Sequence, residues 1–172
     1  MVTSPARVHL LLGPVGAGKS TFARTLCEQH DAYPFYLDEW MADLFAPDRP
    51  PSDLVPWYTE RAERCVDLIW KLSGRLLAAH TDVVLELRLI RRQPRRAFIA
   101  RVESAGYPLR IYLVDAPREV RRRRVLARND ARGETFASVV PPEVFEMASD
   151  MWEPLAPAEL RDRDVVTFDT GG

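Results

Sequence analysis

Short apolar runs recur along the chain at residues 8–12, 35–37, 83–87, 110–114 and 165–168, each too short for a helix and rich in the residue types that suit a buried strand. Between them the apolar positions change period. Residues 19–29, 39–44, 57–79, 94–105, 117–128 and 142–151 carry helical spacing. It is plainest where Ala62, Val66, Ile69, Leu72, Leu76 and Leu77 trace one stripe. Strands alternating with helices predict a five-stranded parallel sheet flanked by helices on both faces, an α/β fold in one domain spanning 1–172. Two connections interrupt the alternation. Residues 46–56 hold Pro47, Pro50, Pro51 and Pro56, too many ring constraints for a helix or a central strand, and read as an exposed connection. Residues 129–141 are polar, contain Gly133 and close on Pro141-Pro142, which predicts a second, mobile connection.

Composition removes several classes of function. With 172 residues, 47% hydrophobic and 28% charged, the chain has room for one substantial core. Its 24 Lys and Arg against 25 Asp and Glu leave a net charge of −1, so no global attraction to nucleic acid or an anionic membrane is expected. Cys27 and Cys65 stand alone in helical segments, without the paired spacing of a zinc site or the density of a disulfide scaffold, and read as buried free thiols. The opening residues run at once into the first strand, which argues against a signal or transit peptide. No apolar run approaches the roughly 18 residues of a membrane span, so a cytoplasmic location is expected.

The most specific chemistry lies after the first strand. Gly13-Pro14-Val15-Gly16-Ala17-Gly18-Lys19-Ser20 fits G-x-x-x-x-G-K-[ST], with a strand before it and a helical segment from Thr21 after it, the context the pattern demands. Glycines let the backbone curl so that successive N–H groups face phosphate oxygens, and the helix start adds its positive dipole end. Gly13, Val15, Gly16, Ala17, Gly18, Lys19, Ser20 and Thr21 are thus the candidate nucleotide-binding residues. Lys19 is placed to reach the β- and γ-phosphates, and the Ser20 hydroxyl to coordinate magnesium.

Phosphoryl transfer also needs an acceptor held in line, a carboxylate near its hydroxyl, and cations on the developing charge. In a sheet of this type the carboxyl ends of the strands face the ligand crevice. Asp38 ends the second strand and Glu86 ends the third. Either suits the base; Asp38 also suits a helix N-cap, and Glu86 also suits a surface partner for Arg88. Arg88, Arg91, Arg92, Arg95 and Arg96 follow the third strand. Arg88 and Arg91, nearest Glu86, are the candidates for anchoring an acceptor, and the others read as a solvated helix start. In the run 121–128, Arg124 and Arg128 share a helix face at i, i+4 before the polar connection.

This arrangement resembles the small P-loop kinase group that includes chloramphenicol phosphotransferase, zeta toxins, gluconate kinases and polynucleotide kinases. It is most similar to short bacterial AAA-family ATPases and kinases of that kind. The resemblance covers nearly the whole chain, although only the phosphate loop is highly specific. It implies a three-layer P-loop kinase fold with a short lid at about 129–141, ATP and Mg2+ as cofactors, and Asp38 as base toward a substrate hydroxyl. It further implies that Glu86 holds magnesium with Ser20. The pair Arg124 and Arg128 resembles the lid entrance of adenylate-kinase-like enzymes, where one arginine packs on adenine and the other contacts phosphates, with Arg132 joining on closure. Lys19, Asp38 and Arg128 are then the catalytic set. Reading Glu86-Leu87-Arg88 in place of the Asp-Gly of nucleoside monophosphate kinases speaks against such an acceptor.

Arginines supplied in cis and the lack of an Asn/Thr-Lys-x-Asp pattern after a strand favour a self-contained kinase over a GTPase switch. Trp40 and Trp57 flank the proline-rich connection and are candidate walls for an apolar or ring-containing acceptor, together with Asp38, Glu86, Arg88 and Arg91. Trp70 and Phe45 read as core. The expected activity is transfer of the γ-phosphate to a small-molecule hydroxyl. The rivals are a polynucleotide 5′-hydroxyl kinase, for which the arginines form a phosphate footprint, and a regulatory ATPase without a phosphoacceptor.

Overall fold

In the computed structural model, which describes residues 5–131 and 138–171, strand β1 (Val8–Leu12) is buried along its whole length, as a central strand covered on both faces must be. It pairs in parallel with β3 (Val83–Glu86) on one side and β4 (Leu109–Asp115) on the other. β2 (Tyr33–Tyr36) extends the sheet beyond β3, and β5 (Asp164–Asp169) extends it beyond β4. The result is the expected five-stranded parallel sheet, in the order β2-β3-β1-β4-β5.

Alternation along β1 builds a core on each face. Val8, Leu10 and Leu12 pack with Val83, Leu85 and Ile111 in the larger one, while Leu11 joins Val84 and Tyr112 with Ala23 and Leu26 of α1 (Lys19–His30) in the smaller. The larger core is covered by α3 (Leu54–Ala78) through Cys65, Ile69 and Leu77, and by α4 (Arg92–Ser104) through Phe98, Ile99 and Val102. As read from the sequence, Trp70 belongs to this core, meeting Phe98 and Tyr107 edge-on. Between strands and long helices lie α2 (Leu37–Phe45), α5 (Arg118–Ala131), α6 (Pro142–Asp150) and the short α7 (Pro157–Leu160).

The differences from the sequence reading have local causes. α3 begins at Leu54 and includes Pro56, and α4 begins at Arg92 and includes Pro94. Proline is compatible with a first turn, whose N–H groups have no partner within the helix. Ala46–Asp48 forms a 3₁₀ turn within the stretch expected to be irregular. β2 stops at Tyr36, so Asp38 sits in the first turn of α2 rather than at a strand end. Of the lid expected over 129–141, residues 132–137, with Arg132 and Gly133, lie outside the described residues. At its base, Asn129 bonds both backbone groups of Val140, at 2.7 and 3.0 Å. Cys65 is buried and Cys27 half-buried; both are free thiols whose pKa burial pushes up.

One arginine expected on a solvated face is instead in the core. Arg95 is completely buried and forks onto Glu159 through Nε and Nη2 at 2.8 and 3.1 Å, while Nη1 donates to the Glu153 carbonyl at 2.9 Å. A buried guanidinium requires such a full set of acceptors. The pair ties α4 to the segment leading into β5. It leaves Arg95 unable to serve a ligand.

Candidate active site

The loop between β1 and α1 owes its shape to three glycines in the left-handed half of conformational space. Gly13, Gly16 and Gly18 have φ of 147°, 78° and 93°. Gly13 is the tightest, since a Cβ there would come within 2.0 Å of the Val114 carbonyl oxygen on β4. Gly13→Ala is therefore expected to destabilise the protein by about 3 kcal/mol or more. A urea midpoint within error of wild type would contradict that. Gly18 stands at the N-cap of α1 and offers no side-chain acceptor, and the first turn has no acidic residue. The helix start thus presents its N–H groups and dipole to an outside anion.

Lys19 folds back over this loop, donating from Nζ to the carbonyls of Gly13 at 3.0 Å and Pro14 at 2.8 Å. Burial lowers its pKa, and Arg88 and Arg121 push the same way against Glu86 and Asp38. Two neutral carbonyls are weak partners for an ammonium, and a phosphate is a stronger one.

Opposite the loop, β3 and the start of α2 deliver the acidic groups. Arg88 Nη1 donates to Asp38 Oδ1 at 3.1 Å, and the Tyr58 hydroxyl donates to the same oxygen at 3.2 Å. The Arg88 guanidinium lies over the Tyr58 ring, 5.3 Å from its centroid. To reach this position Arg88 takes a left-handed backbone, φ 51°, a strained conformation for a residue with a Cβ. Burial by itself raises the Asp38 pKa, but Arg88, Lys19 and the Tyr58 hydrogen bond outweigh it and hold the carboxyl below its ordinary range. The N-cap of α2 is Tyr36, so Asp38 does not cap the helix. Its own Oδ1 is committed to Arg88 and Tyr58, and its side chain remains 44% exposed.

Glu86 behaves in the opposite way. Burial pushes its carboxyl up and Asp38 adds to the rise, against Lys19, Arg88 and a hydrogen bond with Ser20. Sequence reasoning allowed Glu86 to pair with Arg88, yet Arg88 pairs with Asp38. Lys19, Ser20, Asp38, Glu86, Arg88 and Tyr58 thus form one electrostatic group at the carboxyl ends of β1 and β3. Tyr58 was visible in the sequence only as one of several aromatics beside Trp57. Its role depends on how α3 crosses α2.

Removing Arg88 makes a testable change in pH dependence. With Arg88→Gln, burial of Asp38 is less opposed and its pKa rises. If the carboxylate is the active form, the acidic limb of the pH–rate profile moves to higher pH. A limb that stays in place would mean that Asp38 is not the group being titrated.

The arginines of α5 divide. Arg121 is buried and supports the phosphate loop from behind, with Nη1 donating to the Val15 carbonyl at 3.1 Å and Nε to the Ala116 carbonyl at 3.0 Å. Burial lowers its pKa. Its place in an unbroken arginine run hid it. Arg124 donates to the Thr170 hydroxyl at 2.8 Å and to the Thr170 carbonyl. That hydroxyl lies 2.9 Å from the Ala17 carbonyl, so Arg124 is fixed beside the loop. Arg128 is half-buried, and among the described residues its Nε has no hydrogen-bond partner. Thr21 is exposed in the first turn of α1.

The remaining candidates make contacts of their own. Arg91 is exposed at the N-cap of α4. Trp40 meets Phe35 edge-on and helps line a cavity of about 290 Å³ with Tyr33, Tyr36 and Glu39 at the β2 edge. Trp57 lies under Arg61, 4.7 Å from guanidinium to ring centroid, and Phe45 lies under the same arginine at 5.8 Å.

A family model described as AAA domain matches residues 8–155. No curated protein matches the sequence. Among solved structures, a candidate kinase from Chloroflexus aurantiacus j-10-fl has TM-score 0.71 at 16% identity, covering 96% of this chain and 86% of that one. Kti12 from Chaetomium thermophilum, in complex with ADP-AlF3, gives 0.68 at 17% identity over 95% of this chain and 89% of that one. A gluconokinase from Sinorhizobium meliloti 1021 gives 0.57 at 17% identity over 98% and 84%. At such identities the likeness is one of fold, and that fold is the P-loop kinase-like α/β architecture.

Proposed function

The chain belongs to the AAA domain family, and from that premise we propose that it is an ATP- and magnesium-dependent phosphotransferase acting on a hydroxyl of a small-molecule acceptor. The observation that carries this reading is Asp38, held by Arg88 and Tyr58 in the same electrostatic group as the phosphate-loop Lys19. A carboxylate oriented by two dedicated donors beside the phosphate loop suits a group that positions the attacking hydroxyl.

The acceptor oxygen attacks the γ-phosphorus as the bond to the β–γ bridging oxygen breaks, ADP leaves, and the hydroxyl proton passes to Asp38. A loose transition state asks little of the base, so a carboxylate with a lowered pKa serves by orienting the O–H. Lys19, the loop N–H groups and the α1 dipole stabilise charge on the phosphate oxygens. Arg128, whose Nε has no partner among the described residues, contributes a further donor. Arg124 beside Ala17 and Gly18 borders the nucleotide base.

Ser20 and Glu86 fit a magnesium ion. A hydroxyl and a carboxylate that hydrogen-bond each other beside the loop are oxygen donors of the kind this ion takes. Magnesium, when bound, neutralises charge on the phosphate oxygens.

The test is a panel of sugars, polyols, aromatic alcohols and oligonucleotide 5′-hydroxyls incubated with γ-labelled ATP. Label is expected in a small hydroxyl compound and is expected to be cut about a hundredfold or more with the Asp38→Asn variant. Inorganic phosphate released at the same rate with every acceptor and with none would instead support an ATPase without a phosphoacceptor.

A further inference from the structure

All three histidines of the chain gather at the amino-terminal end of the sheet, opposite the phosphate loop. His9 lies early in β1 and is fully buried. His30 is the last residue of α1, and His80 stands in the turn before β3. Asp82 precedes β3 by one residue. The His9 Nε2 lies 2.9 Å from Asp82 Oδ2, and the His9 and His30 ring centroids are 4.5 Å apart. The candidate donor atoms of His9, His30 and Asp82 all fall within 4.8 Å of one another.

We infer that His9, His30 and Asp82 form a binding site for a divalent transition-metal ion of the zinc class. Two imidazoles and a carboxylate make a donor set suited to such ions and poor for magnesium. Bonds of about 2.0–2.2 Å to a tetrahedral ion put neighbouring donors a little over 3 Å apart, so the His9–Asp82 pair already has nearly the required spacing. Rotation of the exposed His30 side chain brings in the third donor. A solvent-open cavity of about 410 Å³, lined by His30, Asp31, His80 and Asp82, provides access and room for a fourth ligand.

The surroundings orient these donors. Asp82 Oδ1 accepts the Arg7 backbone N–H at 2.8 Å, which aims Oδ2 at His9. The Tyr112 hydroxyl lies 3.0 Å from His9 Nδ1. A hydroxyl both donates and accepts, so it serves either tautomer of the ring. Without metal, His9 Nε2–H donates to Asp82 and the tyrosine donates to Nδ1. With metal, the proton resides on Nδ1, donates to the tyrosine oxygen, and frees Nε2 as a ligand. An ion held there joins β1, the end of α1 and the start of β3, and so stabilises the folded state by mass action.

The test uses the full chain, stripped with chelator and titrated with Co2+ alone, without nucleotide. Expected are one Co2+ per chain, a visible ligand-field band of a low-coordinate ion displaced by Zn2+, and a higher Tm. His30→Ala, at an exposed helix end, is expected to weaken Co2+ binding by about tenfold or more while leaving metal-free Tm and magnesium-ATP affinity unchanged. Asp82→Asn is expected to weaken it likewise, whereas Glu86→Gln keeps the band. Failure of the wild type to bind Co2+ at micromolar concentration overturns the inference. So does binding that survives His30→Ala but is lost with Glu86→Gln, because the ion would then sit at the phosphate loop.

Discussion

Replacing Lys19 with alanine is expected to lower phosphoryl transfer by roughly 10³-fold or more while leaving the nucleotide-free protein as stable as wild type, or more so. The two halves of this result share one cause. Lys19 is a desolvated ammonium whose hydrogen bonds go to the neutral carbonyls of Gly13 and Pro14, and burial together with the repulsion of Arg88 and Arg121 outweighs the attraction of Glu86 and Asp38. Its pKa is lowered for that reason, which means that folding works against the charge rather than gaining from it. The charge becomes favourable only when γ-phosphate oxygens replace the carbonyls, and most so as negative charge shifts during transfer. Measuring kcat with labelled ATP beside thermal unfolding of the apo protein checks both halves. Unimpaired transfer would show that the loop does not hold the reacting phosphate, and a large drop in apo Tm would show that the lysine is structural.

The second large effect is expected from Asp38→Asn, which keeps shape and hydrogen bonding but removes the charge. Transfer should fall by about 10²–10⁴-fold, the usual worth of a positioned acid–base group, with nucleotide affinity nearly unchanged. The loss of a cap is not expected, because the N-cap of α2 is Tyr36 and Asp38 is the second residue of the helix. A modest loss of stability is expected instead from Arg88, which loses the carboxylate it donates to at 3.1 Å. Isothermal titration with a non-hydrolysable nucleotide, set against the kinetic result, separates the outcomes. Equal losses in nucleotide affinity and transfer would mean that Asp38 acts on the nucleotide and not on the acceptor.

Tyr58→Phe offers a finer comparison, since it removes one of the two donors to Asp38 Oδ1 and leaves the ring beneath Arg88. The expected result is a small fall in kcat with little change in stability. A loss as large as that of Asp38→Asn would assign the hydroxyl a direct part in transfer.

Much of this protein was legible in its residue order, for reasons that lie within a few residues of each feature. The phosphate loop is a local object, because its glycines shape the backbone that presents the N–H groups, the Lys19 and Ser20 side chains follow at once, and strand β1 and helix α1 adjoin it in the chain. Hydrophobic periodicity likewise determined the five strands and the long helix α3, since a strand buried on both faces and a helix buried on one stripe leave different patterns. Pro56 was misjudged as part of the irregular connection because proline marks a helix start as readily as a break, whereas Pro94 was read as a helix start and lies in the first turn of α4.

Only the folded chain decided which polar groups meet. The arginines from Arg88 to Arg96 look alike in sequence, yet Arg88 reaches Asp38 across fifty positions, Arg95 is sealed against Glu159, and Arg91 faces solvent. The same is true of Arg121 behind the phosphate loop, of Tyr58 on Asp38, and of three scattered histidines drawn to one end of the sheet. Local sequence encodes backbone preference and which face is apolar. The worth of a charge or a hydrogen bond depends on distance and desolvation, and both are set by segments far apart in the chain that parallel strand pairing brings side by side.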